Sequence, residues 1–136
     1  MIDCLFCRII AGEIPVKPVY EDQHLMVIKD INPQAPLHVL VIPKAHIASL
    51  NDLEPEHDAL VGSMFRRAAA IAKDRGYSER GFRTVFNTNR EAGQSVFHLH
   101  FHVIPRYAGK DFHIHGAPKA DPAALAAHAA RIRAAL

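Results

Sequence analysis

The sequence predicts an α+β domain in which a five-stranded antiparallel sheet carries one long helix and a C-terminal helix. Three strand patterns occupy the first third of the chain, helical periodicity follows over residues 55–75, and two more strand patterns come after it. Strands that follow one another without regular helical crossovers favour antiparallel pairing over βαβ units. The chain has 136 residues, so we expect residues 1–136 to form a single domain on one core, with the helices on one side of the sheet.

The first half of the chain is predicted to form a short helix and three strands. Apolar residues at helical spacing indicate the helix over residues 5–11, and Gly12 ends it. Residues 19–21 and 25–29 flank a short polar turn and indicate a hairpin. Residues 38–42 are rich in β-branched side chains and lie between two prolines, which indicates a third strand.

The second half is predicted to contain the long helix, two strands and the last helix. Over residues 55–75 the apolar side chains recur at a spacing of three and four, which is typical of an amphipathic helix. Strands are then indicated over residues 82–88 and 96–104. The last helix is predicted to begin at Asp121, with Pro122 in its first turn. Its apolar stripe consists of Leu125, Ala129, Ile132 and Leu136.

Composition and charge narrow the function classes. The chain is 49% hydrophobic with a net charge of +2 and no basic stripe, so we expect no nucleic-acid partner and a small anion instead. No apolar run has the length of a membrane helix and no signal segment opens the chain, so we expect a cytoplasmic protein without membrane association. The unusual feature is the ten histidines, because this side chain serves as acid, base, nucleophile and metal ligand.

Three of these histidines, His98, His100 and His102, alternate with apolar residues. Successive side chains of a strand point to opposite faces, so the three imidazoles are predicted to share one face at intervals of about 6.6 Å. The alternative is a solvent-exposed face, although such a face normally carries Thr, Lys or Glu. The preceding loop, residues 87–95, favours a functional site because Gly93 permits close backbone approach and neighbouring side chains can donate to phosphate oxygens. These side chains are Asn87, Gln94 and Ser95.

Three blocks of sequence carry a family resemblance. Residues 93–106 read GQSVFHLHFHVIPR, residues 30–46 read DINPQAPLHVLVIPKAH, and residues 4–15 read CLFCRIIAGEIP. In this order they resemble the histidine-triad (HIT) superfamily, and in particular its Hint-type and Fhit-type members. The resemblance spans residues 4–107 and implies a HIT-like fold. Residues 108–136 then form a C-terminal extension that contains the last helix.

The resemblance implies a covalent mechanism. His100, the middle histidine of the triad, would attack the α-phosphorus of a nucleotide and form a nucleotidyl-imidazole that water later hydrolyses. His98 and His102 would complete the triad, and His38, at the family's upstream histidine position, would support it. Ser95 would lie beside the leaving group.

The resemblance also implies how the nucleotide is bound. The side chains of His102, Asn87 and Gln94, together with the backbone after Gly93, would bind phosphate oxygens. Asp30 would take the ribose hydroxyls, and its alternative is a turn residue that ends a strand. The nucleoside would lie between apolar walls, for which ordinary core packing is the alternative. These walls are Leu5, Phe6, Ile9, Ile28 and Ile31.

Cys4 and Cys7 form a Cys-x-x-Cys pair, which by itself is compatible with a redox pair, half a zinc site, or two incidental buried thiols. Some histidine-triad proteins, and the related galactose-1-phosphate uridylyltransferases, combine such a pair with two histidines. Carried over to this chain, those histidines are His46 and His98. The resemblance therefore implies a structural zinc with four protein ligands and no open position.

Together these interpretations predict a hydrolase that releases a nucleoside monophosphate, AMP above all, from a nucleoside phosphoramidate or related conjugate. Two alternatives remain at this point: a dinucleoside polyphosphate hydrolase of the Fhit type, and a non-catalytic nucleotide-binding module. The resemblance further implies a homodimer. In that dimer, residues 107–118 would follow the catalytic strand and reach the partner's pocket.

Overall fold

The computed structural model of the chain describes residues 3–106 and 119–136. Three short 3₁₀ turns, Leu50–Asp52, Pro55–His57 and Arg90–Ala92, connect the larger elements. No helix in the described part of the chain is long and apolar enough to cross a membrane. The larger elements are α1 (Leu5–Ile10), β1 (Tyr20–Glu21), β2 (Leu25–Lys29), β3 (Val39–Pro43), α2 (Asp58–Asp74), β4 (Phe82–Val85), β5 (Phe101–Pro105) and α3 (Pro122–Ala135).

The five strands form one sheet in the order β1-β2-β3-β5-β4, and every neighbouring pair is antiparallel. The predicted α+β class with a five-stranded antiparallel sheet is confirmed. The last strand in sequence lies between the third and the fourth, with Leu40 of β3 opposite His102 of β5. This pairing brings the start of β3, where His38 lies, next to the histidine-bearing strand.

The sheet is covered on both faces, whereas the sequence predicted helices on one side. On one face, α2 packs on alternate residues of the sheet such as Val41 and Phe101. On the other face, α1 contributes Phe6 and Ile9 to a second core that includes Leu40. The reason lies in β2 and β3, which are apolar at consecutive positions and therefore need cover on both faces.

The C-terminal helix α3 begins as predicted, since the Asp121 side chain accepts a hydrogen bond from the Ala124 backbone N–H and Pro122 follows the cap. Its apolar stripe, however, does not join the core as expected: Leu125 is 55% exposed and Ile132 is 63% exposed. An alanine-rich segment with a good cap satisfies helix propensity without a buried face, so its periodicity overstated its packing.

Three predicted strand boundaries are corrected by the pairing. The strand predicted over 38–42 lies one residue later, the one predicted over 82–88 ends at Val85, and the one predicted over 96–104 begins at Phe101. By the β3–β5 register, Pro43 would face residue 99. Proline has no N–H to donate, and its carbonyl accepts a hydrogen bond from the His98 ring instead. Residues 96–100 are therefore outside the ladder.

Candidate active site and metal cluster

The three alternating histidines lie toward the second core, while the residues between them face α2. Leu99, Phe101 and Val103 belong to the first core. Phe6 of α1 packs edge-on against the rings of His98 and His100, with centroid distances of 5.9 and 5.0 Å. The predicted alternation, with the imidazoles on one face and the apolar residues between them on the other, is therefore found, although only His102 is inside a paired strand.

His100 is oriented through its own backbone neighbourhood. Its Nδ1 lies 2.7 Å from the carbonyl oxygen of His98, so Nδ1–H donates and Nε2 keeps a free lone pair. Burial lowers the pKa of His100 below its usual value, and the hydrogen bond to the His98 carbonyl opposes this only in part. The ring is therefore neutral at pH 7, with Nε2 available as a nucleophile.

His38 and His102 form a directed hydrogen-bonded pair. The backbone N–H of Gln34 donates to Nδ1 of His38 at 3.0 Å, so the proton of this buried ring is on Nε2. His38 Nε2–H then donates to Nδ1 of His102 at 2.9 Å, which leaves Nε2–H of His102 as a donor for a ligand. Burial lowers the pKa of both rings, with His100 and His38 adding to the effect at His102.

Asp30 makes the turn contact that the sequence left open as one alternative, and its second carboxylate oxygen faces two histidines. One carboxylate oxygen accepts the Asn32 backbone N–H at 2.7 Å, as in a turn. The other lies 3.4 Å from Nε2 of His38 and 3.6 Å from Nδ1 of His102. These three side chains are close enough to hold a cation. The donation from Gln34 argues against it, because a metal would need the His38 nitrogen that carries the proton.

The loop before the histidines is held by Gln94. This side chain is only 4% exposed. Its amide nitrogen donates to the carbonyl oxygens of Ala48 at 2.8 Å and Val96 at 3.1 Å. Its amide oxygen accepts a hydrogen bond from the Asn89 backbone N–H at 2.7 Å. The expected phosphate ligand is thus already engaged with the backbone. Gly93 is needed for its φ of +100° rather than for close approach, because a Cβ there would meet no atom nearer than 3.8 Å.

The remaining nucleotide-binding candidates fall into two environments. Phe6, Ile9 and Ile28 are buried in the second core, where they make ordinary core contacts. Leu5 is exposed at the start of α1, and Ile31 is 92% exposed directly after Asp30. Two polar candidates stay accessible to a ligand: Asn87 is half-buried and Ser95 is exposed.

The four predicted metal ligands, Cys4, Cys7, His46 and His98, come together with all four ligand atoms within 4.8 Å of one another. Nδ1 of His46 lies 3.2 Å from Nδ1 of His98 and 3.3 Å from Sγ of Cys7. Sγ of Cys4 lies 3.4 Å from Nδ1 of His98. Tetrahedral zinc with bonds of about 2.05 Å to nitrogen and 2.3 Å to sulfur requires nearly these edges, about 3.4 Å for N···N and 3.6 Å for N···S.

Protonation in the cluster also fits a metal. His98 is fully buried and its Nε2 lies 2.7 Å from the Pro43 carbonyl, so Nε2–H donates there and Nδ1 presents a lone pair to the cluster. Burial, followed by the neighbouring Cys4, raises the pKa of the Cys7 thiol. A cation is the partner that reverses such a shift, because it stabilises the thiolate. The donor set therefore suits a closed Cys₂His₂ site.

Sequence reasoning missed the backbone groups that orient these side chains. The Gln34 N–H sets the tautomer of His38, and the carbonyls of Pro43 and Ala48 hold His98 and Gln94. Such groups have no residue-type signature, since every residue carries them. The backbone N–H of Asn89, which donates to the Gln94 side chain, did have a signal in the sequence. Asn89 has a φ of +72°, and asparagine tolerates positive φ better than most residues.

Comparison with known proteins places this site in a family. A family described as "Scavenger mRNA decapping enzyme C-term binding" matches residues 3–120. Protein HitA of Neisseria gonorrhoeae is 50% identical over 104 residues, which cover 76% of this chain and 96% of HitA. The purine nucleoside phosphoramidase of Escherichia coli K12 is 43% identical over 102 residues, covering 75% of this chain and 86% of that protein.

Solved structures of HIT family proteins are also similar to this chain. A HIT family hydrolase from Legionella pneumophila Philadelphia 1 is similar with a TM-score of 0.76 at 43% identity, covering 82% of this chain and 97% of that one. A member of the HIT family from Bacillus subtilis has a TM-score of 0.79 at 36% identity and covers 99% of this chain and 98% of its own, so it extends over the C-terminal region too. The chain that carries this cluster of histidines belongs to the histidine-triad (HIT) family.

Proposed function

We propose that the protein is a nucleotide hydrolase that releases a nucleoside monophosphate from a phosphoramidate or related conjugate through a covalent intermediate on His100. The observation that carries the proposal is the hydrogen bond from His100 Nδ1–H to the His98 carbonyl, which leaves Nε2 as a neutral nucleophile. The similarity to a purine nucleoside phosphoramidase at 43% identity supports the substrate class.

In the first step, Nε2 of His100 attacks the α-phosphorus and forms a P–N bond while the bond to the leaving group breaks. The leaving amine departs with that electron pair and takes a proton from solvent beside the exposed Ser95. The imidazolium that results keeps Nδ1–H on the His98 carbonyl, which stabilises its positive charge. Water then attacks phosphorus and forms a P–O bond while the P–N bond breaks, with its electron pair returning to Nε2. The nucleoside monophosphate leaves, the water's proton passes to solvent, and His100 is neutral again.

The phosphate oxygens are assigned to Nε2–H of His102, the side chain of Asn87 and the backbone after Gly93. His38 acts through His102 by fixing its tautomer, and Gln94 acts by holding the loop. Asp30 is assigned to the ribose hydroxyls. We further propose that a purine base inserts at the edge of the second core, beside Phe6, Ile9, Ile28, Leu5 and Ile31.

We assign zinc to the Cys4, Cys7, His46 and His98 cluster, at one ion per chain. With four protein ligands it has no open position, so its contribution is structural and no reaction step passes through it. Elemental analysis of protein purified without chelator should find one zinc per chain, and an absence of metal would remove this assignment.

The edge of the sheet bears on how the protein assembles. We propose that the protein is cytoplasmic. We also propose a homodimer, because β4 lies at a sheet edge and Phe65 on α2, 44% exposed, packs against Phe86 just after that strand. The mass in solution at micromolar concentration should be that of two chains, and the mass of one chain would contradict it. The expected reach of residues 107–118 to the partner's pocket lies outside the described residues.

The test compares adenosine phosphoramidate, an aminoacyl-adenylate and a dinucleoside polyphosphate as substrates of the purified protein. Labelled adenosine phosphoramidate, quenched in turnover, should leave its nucleotidyl group on the wild-type chain and none on His100→Ala. His24→Ala, a change at an exposed histidine outside the site, is the matched control and should behave as the wild type. Turnover by His100→Ala at the wild-type rate would exclude the mechanism. Faster cleavage of the polyphosphate would favour the Fhit-type alternative, and binding without turnover of any substrate would favour the non-catalytic module.

A further inference from the structure

We propose that the metal cluster positions the nucleophile, and that His98 is the positioning residue that joins them. The proposal rests on the hydrolase function of His100. It goes beyond a zinc that merely stabilises the fold, because it predicts that metal occupancy controls the chemical step.

The link consists of two contacts made by one residue. The ring of His98 presents Nδ1 to the metal cluster, 3.4 Å from Cys4 Sγ and 3.2 Å from His46 Nδ1. The backbone carbonyl of the same residue accepts Nδ1–H of His100 at 2.7 Å. A displacement of residue 98 that relaxes the first contact is therefore expected to shift the carbonyl that makes the second.

The backbone at this point depends on such anchors. β5 begins at Phe101, so residue 98 is not paired with β3 through the ladder. Its position is determined by the ring, which also donates to the Pro43 carbonyl, and by the Leu99 N–H, which donates to the Ile47 carbonyl at 2.6 Å. Without a cation, the His98 nitrogen has only the two thiols and the His46 ring nitrogen as partners, at 3.2 to 3.5 Å, in place of a metal bond, so one of the ring's two anchors is weakened.

Most groups assigned to substrate binding lie outside the unpaired stretch that carries His98 and His100, and His102 is held separately by its strand and by His38. Asp30 follows β2, and Asn87 belongs to the loop that Gln94 holds. Loss of the metal is therefore expected to lower kcat and to leave KM and AMP affinity nearly unchanged. A misplacement of a reacting group by about 1 Å costs on the order of 100-fold in rate, and we expect a loss of that order.

The test compares the zinc-loaded wild type with Cys7→Ser, which removes one ligand without touching His100. The first readout is the nitrogen-15 NMR signature of the His100 Nδ1–H, recorded without substrate; the second is the division of the effect between kcat and KM. Ile71→Val is the matched control, since it weakens the first core on the opposite face of the sheet and should leave both readouts unchanged. In Cys7→Ser the Nδ1–H signal should broaden or shift and kcat should fall, and excess zinc should restore both.

An unchanged His100 signal and an unchanged kcat in metal-free Cys7→Ser would overturn the proposal, as would an effect confined to KM. If Cys7→Ser does not fold, the same signal is followed while zinc is titrated into chelator-treated wild type, and a signal independent of zinc would again overturn it. If the loaded wild type hydrolyses none of the substrates, the proposed function fails, whereas the zinc dependence of the His100 signal still decides whether the cluster positions this ring.

Discussion

Replacement of Gln94 by glutamate isolates the structural role that this side chain has in the loop. The substitution keeps the size and the oxygen that accepts the Asn89 N–H, but it replaces the amide nitrogen by an oxygen. That oxygen would face the carbonyls of Ala48 and Val96, which now receive hydrogen bonds at 2.8 and 3.1 Å. Two backbone acceptors would lose their donor and meet a carboxylate instead.

The magnitude follows from those two contacts. A buried acceptor left without a partner costs about 1–3 kcal/mol, and because Ala48 and Val96 are only half-buried the lower half of that range applies to each, so the free energy of unfolding should fall by roughly 3 kcal/mol. At about 4 °C per kcal/mol for a chain of this size, the melting temperature should fall by roughly 12 °C. Because the side chain is only 4% exposed, solvent cannot replace the lost donors.

Thermal unfolding followed by circular dichroism measures the effect, with AMP binding by calorimetry as the second assay. Ser95→Ala is the matched control for stability, because this neighbouring side chain is exposed and should change the melting temperature by less than about 2 °C. A Gln94→Glu protein that melts within 2 °C of the wild type and loses AMP affinity alone would refute the reasoning. Gln94 would then be a phosphate ligand and not a support of the loop.

The other predictions concern pH, metal and core. Burial lowers the pKa of His38 below 6.5, so the stability that its neutral form contributes is present above pH 6.5 and is lost as the pH falls below it. The melting temperature should therefore drop less between pH 7 and pH 5 in His38→Gln than in the control His24→Gln. Equal drops in the two variants would contradict this. A chelator should lower the melting temperature of the wild type but not of Cys7→Ser, and an equal change in both would speak against zinc at the cluster. Phe101 is fully buried and Leu125 is exposed, so Phe101→Ala should lower the free energy of unfolding by about 3–5 kcal/mol and Leu125→Ala by less than about 0.5 kcal/mol. Unfolding in denaturant measures both values. A large loss at Leu125 would mean that α3 packs on the core.

The sequence by itself determined the class of fold and the main elements, and it named the cysteines and histidines that the structure brings together. Periodicity located α2 and β2 within a few residues, because a helix and a strand leave different spacings of apolar side chains. The alternation around His100 predicted that Leu99 and Phe101 face away from the imidazoles. The family resemblance brought Cys4 and His46 into one ligand set, although they are far apart in the chain and no local pattern relates them.

Only the tertiary structure decided which strands are neighbours and what each polar group does. The insertion of β5 between β3 and β4 puts His38 against His102, and no local property of either segment specifies that order. The tertiary structure likewise decided that α3 is exposed, since exposed and buried alanine-rich helices have similar sequences. Gln94 shows the general reason. A polar side chain can bind a ligand or a backbone group equally well, and which of the two it meets depends on segments distant in the sequence, here the carbonyl of Ala48.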